Sequence, residues 1–391
     1  VITHRITNHK GDHAMKNLIK GLAMGWIIGF MVFAVKIGHA QEPAMTPYGI
    51  LYGSPETFAE FHGFVTLTYF DFEADGTRDG NSTFDQHYFY FNAIAKVRQN
   101  VTVFGEVEYE HSGEEIKLDR AFIDWRLIGE LLALRLGQFY APFGFELREY
   151  QYPVRKMTSR PMMARALLFN EWTEAGVNAY GRLGTGVVSV DYDIAVVNGP
   201  GEDGILVVSD PTEGAPNIGD TGDARQSRDN NNNRTVVGHL SVPVTHGPHK
   251  VGVGVSGATG RYSDSGTEEL DFTLMGVDAN FRMMGLDVRG EWVTRSVDVA
   301  SSIDSSSYYL QASYRVDYNR DGLHYIEPVV RYDFLEPDED TNDDERTRIT
   351  LGLNYSPYPH FKFMAEWQMN DEDFDPDLDD DGFMASATVD F

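Results

Sequence analysis

Five basic side chains crowd one short stretch, Arg148, Arg155, Lys156, Arg160 and Arg165, against only Glu146 just before them and Glu149 among them. The whole chain holds 32 Lys and Arg against 60 Asp and Glu, a net charge of -28. A local positive excess in so acidic a chain suits a site that attracts small anions, as charged rings do in selective passages. The same side chains also suit ion pairs that pin the segment to acidic neighbours, and the two uses are compatible. A second pattern, Asp377-Leu378-Asp379-Asp380-Asp381-Gly382, opens like a calcium loop. Its twelfth position is Thr388, where a tight site needs a bidentate Glu. That leaves looser Ca²⁺ binding through Asp377, Asp379 and Asp381, and no true EF-hand. No other cofactor is called for.

The elements that must position these groups are strands. From residue 58 onward the apolar residues recur with period two. Val101, Val103, Val107 and Tyr109 alternate with Thr102, Glu106, Glu108 and Glu110. Leu286, Val288 and Trp292 alternate with Asp287, Arg289, Glu291 and Arg295, and Phe383 to Phe391 repeats the pattern at the end. Period two puts one set on each face of a strand. Each run spans about 10 to 14 residues, longer than a soluble strand of about five or six and suited to a tilted membrane strand. Full charges sit on one face and almost none on the other, which fits a barrel with lipid outside and water inside. Sixteen such segments are predicted: 58–72, 84–98, 101–110, 115–127, 132–140, 172–182, 186–197, 234–245, 249–261, 269–284, 286–298, 306–317, 323–334, 346–356, 361–369 and 382–391. Connections alternate between short turns and long loops, the outer-membrane pattern, and an even strand count leaves both ends in the periplasm. No segment has a convincing helical period. The parity slips near residues 117–120 and 274–276, which predicts β-bulges there. Arg135, Arg289, Arg295, Arg315, Arg331, Arg346 and Arg348 fall on the polar parity, as do Glu106, Glu108, Asp191, Asp193, Glu291, Asp317, Glu327 and Asp333. The wall is therefore mixed in sign.

Composition narrows the classes further. The absence of cysteine excludes disulfide scaffolds, thiolate metal sites and iron–sulfur clusters. The charge balance argues against nucleic acid as a partner. Residues 15–20 are basic, residues 21–35 apolar, and Gly38-His39-Ala40 is a small-residue cleavage pattern. Residues 1–40 read as upstream residues plus a secretory signal peptide, with Met15 as the start and cleavage before Gln41. Residues 41–57 would form a short periplasmic segment, and 58–391 the outer-membrane barrel.

The segment Gly137-Gln138-Phe139-Tyr140-Ala141-Pro142-Phe143-Gly144, preceded by Asp119-Arg120-Ala121-Phe122-Ile123-Asp124, resembles the phosphate-selective porin O/P family. That family carries a similar Gly-Gln-x-x-x-Pro-Phe-Gly run entering its third outer loop. The motif covers about thirty residues, and the leader, strand count and terminal Phe391 extend the likeness over the mature chain. The resemblance implies a sixteen-stranded, homotrimeric porin whose third extracellular loop folds inward and narrows the pore. It also implies passage of small anions such as phosphate. A single lysine in the loop departs from the dense lysine and arginine set on which phosphate specificity depends. Phe391 resembles the signal read by the barrel-assembly machinery. The outer loops hold seven acids in 336–345 and eight in 371–381. They form a solvated rim that can bind divalent cations bridging lipopolysaccharide.

The expectation is an all-β transmembrane antiparallel barrel for passive diffusion of small hydrophilic solutes, not an enzyme. Its pore or anion-binding residues would be Arg148, Arg155, Lys156, Arg160, Arg165, Arg135 and Arg331. The alternatives are a cation-selective or non-selective porin, favoured by the acidic mouth, and an outer-membrane barrel enzyme. The enzyme reading would rest on His239 and Ser241, two apart on one strand face as in outer-membrane phospholipases, or on His111 beside acidic loops in the manner of a protease.

Overall fold

The computed structural model describes residues 44–46, 49–54, 57–72, 82–113, 115–148, 153–169, 172–201, 233–263, 270–298, 302–318, 324–372 and 381–391. Residues 1–40, including the leader, lie outside them, as do Asp377 and Asp379. Sixteen antiparallel strands close into one barrel. They are β1 (Thr57–Phe72), β2 (Thr83–Arg98), β3 (Val101–Glu110), β4 (Glu115–Ile128), β5 (Leu132–Tyr140), β6 (Thr173–Leu183), β7 (Val190–Val197) and β8 (Thr235–His246). The second half is β9 (His249–Ser263), β10 (Leu270–Met283), β11 (Leu286–Val297), β12 (Ile303–Tyr314, resuming at Val316–Asp317), β13 (Tyr325–Glu336), β14 (Arg346–Tyr358), β15 (Phe361–Glu372) and β16 (Gly382–Asp390). Each strand pairs with the next, and β16 returns to β1 with Gly382 opposite Phe72 and Asp390 opposite Phe64. Closure leaves no open edge, which lipid would not tolerate because bare N–H and C=O groups have no partner there. Among the described residues no helix is long and apolar enough to cross a membrane; the crossing elements are the strands.

Alternation produces this shape directly. On β11 every second residue, Asp287, Arg289, Glu291 and Arg295, is buried, while the large apolar residue Trp292 is 46% exposed. On β9 Val251, Val253 and Val255 are exposed, and on β14 Leu351 and Leu353 are. A polar face that is buried beside an apolar face that is bare is the inverse of a soluble protein, and it matches a barrel with a lipid-facing band. Aromatic residues edge that band. Tyr308 neighbours Tyr332 and Phe334 towards the long-loop end, and Tyr355 neighbours Tyr318 and Phe363 towards the short-turn end. Aromatic girdles at both interfaces are expected of such barrels.

Connections at one end of the barrel are mostly longer than at the other, although β3 and β4 are joined at the long-loop end by 111–114 alone. The sequence-based strand bounds hold to within a few residues. The largest shift is at β7, expected from 186 but starting at Val190, because 184–189 forms a turn with Val188 bridging Val244. The break in β12 lies opposite Pro328, which has no N–H to give the ladder. Two short strands precede β1 within the described part of 41–57. Gly49–Ser54 pairs with the foot of β1, and Ala44–Thr46 pairs with Gly49–Ser54. Phe391 exchanges two backbone hydrogen bonds with Gly63, each 2.9 Å, where the chain end meets β1.

One of the two expected bulges is present. On β4, Glu106 faces Arg120 and Val107 faces Leu118, so Asp119 is the extra residue. At 274–276 the register with β9 and β11 runs unbroken. Phe272, Leu274, Gly276 and Asp278 share one parity, and Phe272, Leu274 and Asp278 are buried. The slip is therefore chemical, not geometric: apolar residues stand on the polar parity because another segment packs against them.

Candidate functional site

That segment is the third connection at the long-loop end, residues 141–172 between β5 and β6. Its Leu147, Met163, Leu167, Leu168 and Phe169 are buried and join one apolar cluster with Val237, Phe272, Leu274, Val293, Val297 and Leu335 from β8, β10, β11 and β13. Phe169 meets Trp172 and Phe272 edge-on, at 5.0 and 6.0 Å between centroids. A single short helix, α1 (Met162–Ala166), forms here. Five residues are too few to show a helical period, so the strand-only expectation misses it.

The Pro-Phe-Gly run sets how the segment starts. Gly144 takes φ of +58°, and a Cβ there would run into the Glu291 carboxylate. Only glycine fits both demands. The Glu291 carboxylate accepts N–H bonds from Phe145 (2.9 Å) and Glu146 (2.6 Å) and the Tyr309 hydroxyl bond (3.0 Å). Farther along, Glu366 on β15 accepts the N–H groups of Thr158 (2.8 Å) and Ser159 (3.0 Å), and Asp333 on β13 accepts that of Met162 (3.1 Å). Wall carboxylates thus hold the loop backbone in place of secondary structure, satisfying N–H groups that burial would otherwise strand.

The predicted basic residues divide by what they hold. Arg331 is 1% exposed; it pairs with Asp333 (2.7 Å) and donates to the carbonyls of Ser159 (3.0 Å) and Arg160 (3.1 Å) and to the Ser159 hydroxyl (2.9 Å). Lys156 pairs with Glu327 at 2.5 Å and lies 3.8 Å from Asp287. Arg160 is buried 3.4 Å from Glu146; burial pulls its guanidinium down to about 10, and Glu146 works against that fall. Arg135 pairs with Asp124 (3.0 Å) and lies over the rings of Phe122 and Tyr180. Arg155 is buried, and its carbonyl accepts from Lys362 at 2.6 Å. Arg165 is exposed on α1. Asp381 accepts the N–H of Asn370 at 2.8 Å.

Arg148 differs from the rest. Its guanidinium donates to Nδ1 of His239 at 2.6 Å, and His239 Nε2 donates to Asp278 at 2.8 Å. It lines a chamber of about 790 Å³ with Arg182, Lys250, Arg282, Glu130, Asp191, Asp278 and Asp287. The chamber lies towards the short-turn end. Both ring nitrogens of His239 are engaged, so none is left to activate Ser241. A second space of about 180 Å³, lined by Pro153, Arg315, Tyr325, His360, Lys362 and Asp390, lies under β12 to β16.

Sequence reasoning missed Glu291, Glu366 and Lys362 as anchors. Their parity was visible, but which wall carboxylate meets a loop N–H depends on where the loop crosses. The apolar residues on the polar parity, which sequence reasoning took for a bulge, were the signal that could have located the cluster.

A closed sixteen-stranded barrel with an apolar outer band and a charged inner face defines an outer-membrane barrel of the porin class. The family model of phosphate-selective porin O and P matches residues 79–375, and the chain belongs to that family. Among solved structures, the outer membrane channel DcaP of Acinetobacter baumannii is similar at a TM-score of 0.58 and 11% identity, covering 88% of this chain and 100% of that one. A loop L8 deletion mutant of OmpT, an outer membrane protein of Vibrio cholerae, gives 0.58 and 13% over 86% and 100%. Salmonella typhi OmpF in complex with daunomycin gives 0.57 and 12% over 90% and 100%. At such identities the likeness is one of fold. No curated protein matches the chain. The protein is an outer-membrane channel.

Proposed function

We propose that the protein is a porin for passive diffusion of small hydrophilic solutes, with a preference for small anions such as phosphate. Its lumen would be narrowed by residues 141–171 folding inward as the third extracellular loop. The inward course is supported by loop bonds to residues of β8, β9, β11, β13, β14, β15 and β16, far from the strands the loop connects. The anion preference is carried by Arg148. It lines the chamber and donates to a histidine nitrogen, and among the described residues no carboxylate lies within ion-pair distance of it, Asp191 and Asp193 acting on it from farther off.

The test is the zero-current potential across a planar bilayer under a KCl gradient, with and without phosphate. The expected sign shows Cl⁻ preference, phosphate reduces the current, and Arg148→Ala moves the potential towards K⁺. A K⁺ preference in the unaltered protein would remove the anion reading and leave the porin. That second reading, cation selectivity, is favoured by Glu106, Glu108 and Glu110, which line the buried face of β3. The reading further includes export by the residue 15–40 leader, assembly as a homotrimer in lipid and lipopolysaccharide, and recognition of Phe391 by the assembly machinery. A Vibrio cholerae OmpT structure in trimer form, similar at a TM-score of 0.55 and 12% identity, supports the trimer.

A further inference from the structure

At the long-loop end of β2 and β3, three side chains converge that the channel reading does not use. Asp85, His87 and His111 each place one donor atom within 4.8 Å of the other two. Two backbone irregularities bring them together. Where β2 meets β1, Thr66 faces Tyr88 and Thr68 faces Asp85, so Gln86 and His87 stand opposite the single Leu67. Such a bulge re-aims side chains that regular pairing would send elsewhere. On the other side, β3 ends in a tight turn in which His111 and Ser112 both take positive φ, 47° and 59°. That conformation is costly for residues with a Cβ. It stacks the His111 ring on that of His87, 5.4 Å between centroids, and sets His111 Nδ1 2.8 Å from Asp85. Glu110, bonded to Lys117 at 2.7 Å, adds a carboxylate beside the group. Arg155 and Arg165 lie near enough to act on the His87 ring.

We propose that Asp85, His87 and His111 form a binding site for a divalent transition-metal ion of the zinc class at the long-loop end of the channel. Two imidazoles and one carboxylate suit Zn²⁺, Ni²⁺ or Cu²⁺, whereas Ca²⁺ and Mg²⁺ want all-oxygen sets. A tetrahedral site with bonds of about 2.1 Å has edges of about 3.4 Å. The rings therefore need only a small inward swing, and water completes the shell. A bound dication would offset Asp85 at this end of the channel. The assignment is independent of the anion preference.

The test titrates the full folded chain in detergent with ZnCl₂ by calorimetry at about pH 7.5, where imidazole is neutral, and repeats it with excess MgCl₂. One saturable Zn²⁺ site per chain is expected. It should survive Mg²⁺ and weaken by more than about tenfold in His87→Ala and in His111→Ala, since even outer-shell partners act on that scale. Co²⁺ in place of Zn²⁺ should give a visible spectrum that both variants lose. Binding unchanged by the variants, or displaced by Mg²⁺, would overturn the site and assign the metal to the acidic loops. If His87→Ala does not fold, His111→Gln at the exposed turn position decides by the same criteria.

Discussion

At the residue scale, charge on the inner wall does positional work. Arg331 sits on the polar parity in a wall of mixed sign, yet it is consumed by Asp333 and by two loop carbonyls. Arg331→Ala would leave Asp333 buried and uncompensated, at a cost of about 3–5 kcal/mol. The expected outcome is a barrel that still folds but shows noisier, larger single-channel conductance, because Ser159 and Arg160 lose their hold. Arg148→Ala should instead leave conductance noise unchanged and move only the selectivity. The difference between the two variants separates anchoring from electrostatic attraction, and both are read in the same bilayer recording.

At the element scale, the strands need little beyond alternation, whereas the loop needs specific residues. Gly144→Ala adds a Cβ at positive φ and drives it into Glu291. A strain of about 1–3 kcal/mol from the backbone alone is expected, and the clash also displaces the carboxylate that holds Phe145 and Glu146. Guanidinium unfolding of the detergent-folded protein should show the loss, with loop proteolysis beginning before the barrel opens. The lipid face predicts the opposite kind of sensitivity. Leu353 is exposed on β14, and Leu353→Arg should cost about 2–4 kcal/mol in folding into bilayers, the range for a basic residue at mid-membrane.

At the scale of the whole molecule the barrel is closed, and assembly is the quantity to measure. Closure rests on the β16–β1 ladder and on Phe391, whose backbone pairs with Gly63. Light scattering on the detergent-solubilised protein should return three copies per particle; a single copy would withdraw the trimer and leave the barrel as it stands.

Strand count, strand limits and inner or outer parity were all legible in the sequence, because the side-chain period of a strand is two and the two solvents differ so strongly. The bulge at Asp119 was legible for the same reason. The slip at Leu274 and Gly276 carried the right signal but not its meaning. An apolar residue on the inner parity is produced equally by a bulge and by a covering segment, and only the packing of Phe143 and Phe169 distinguishes them. The basic cluster could be seen, but its partners could not. Which arginine meets Glu146, Asp333 or His239 depends on where a thirty-residue connection crosses the barrel, and no local period encodes that. The sequence alone determined a barrel in lipid with charges inside. The tertiary structure decided that Glu291, Arg331, Asp333 and Glu366 hold the loop and that Arg148 meets a histidine nitrogen, because pairing distances across a closed barrel are set by the strands' joint geometry.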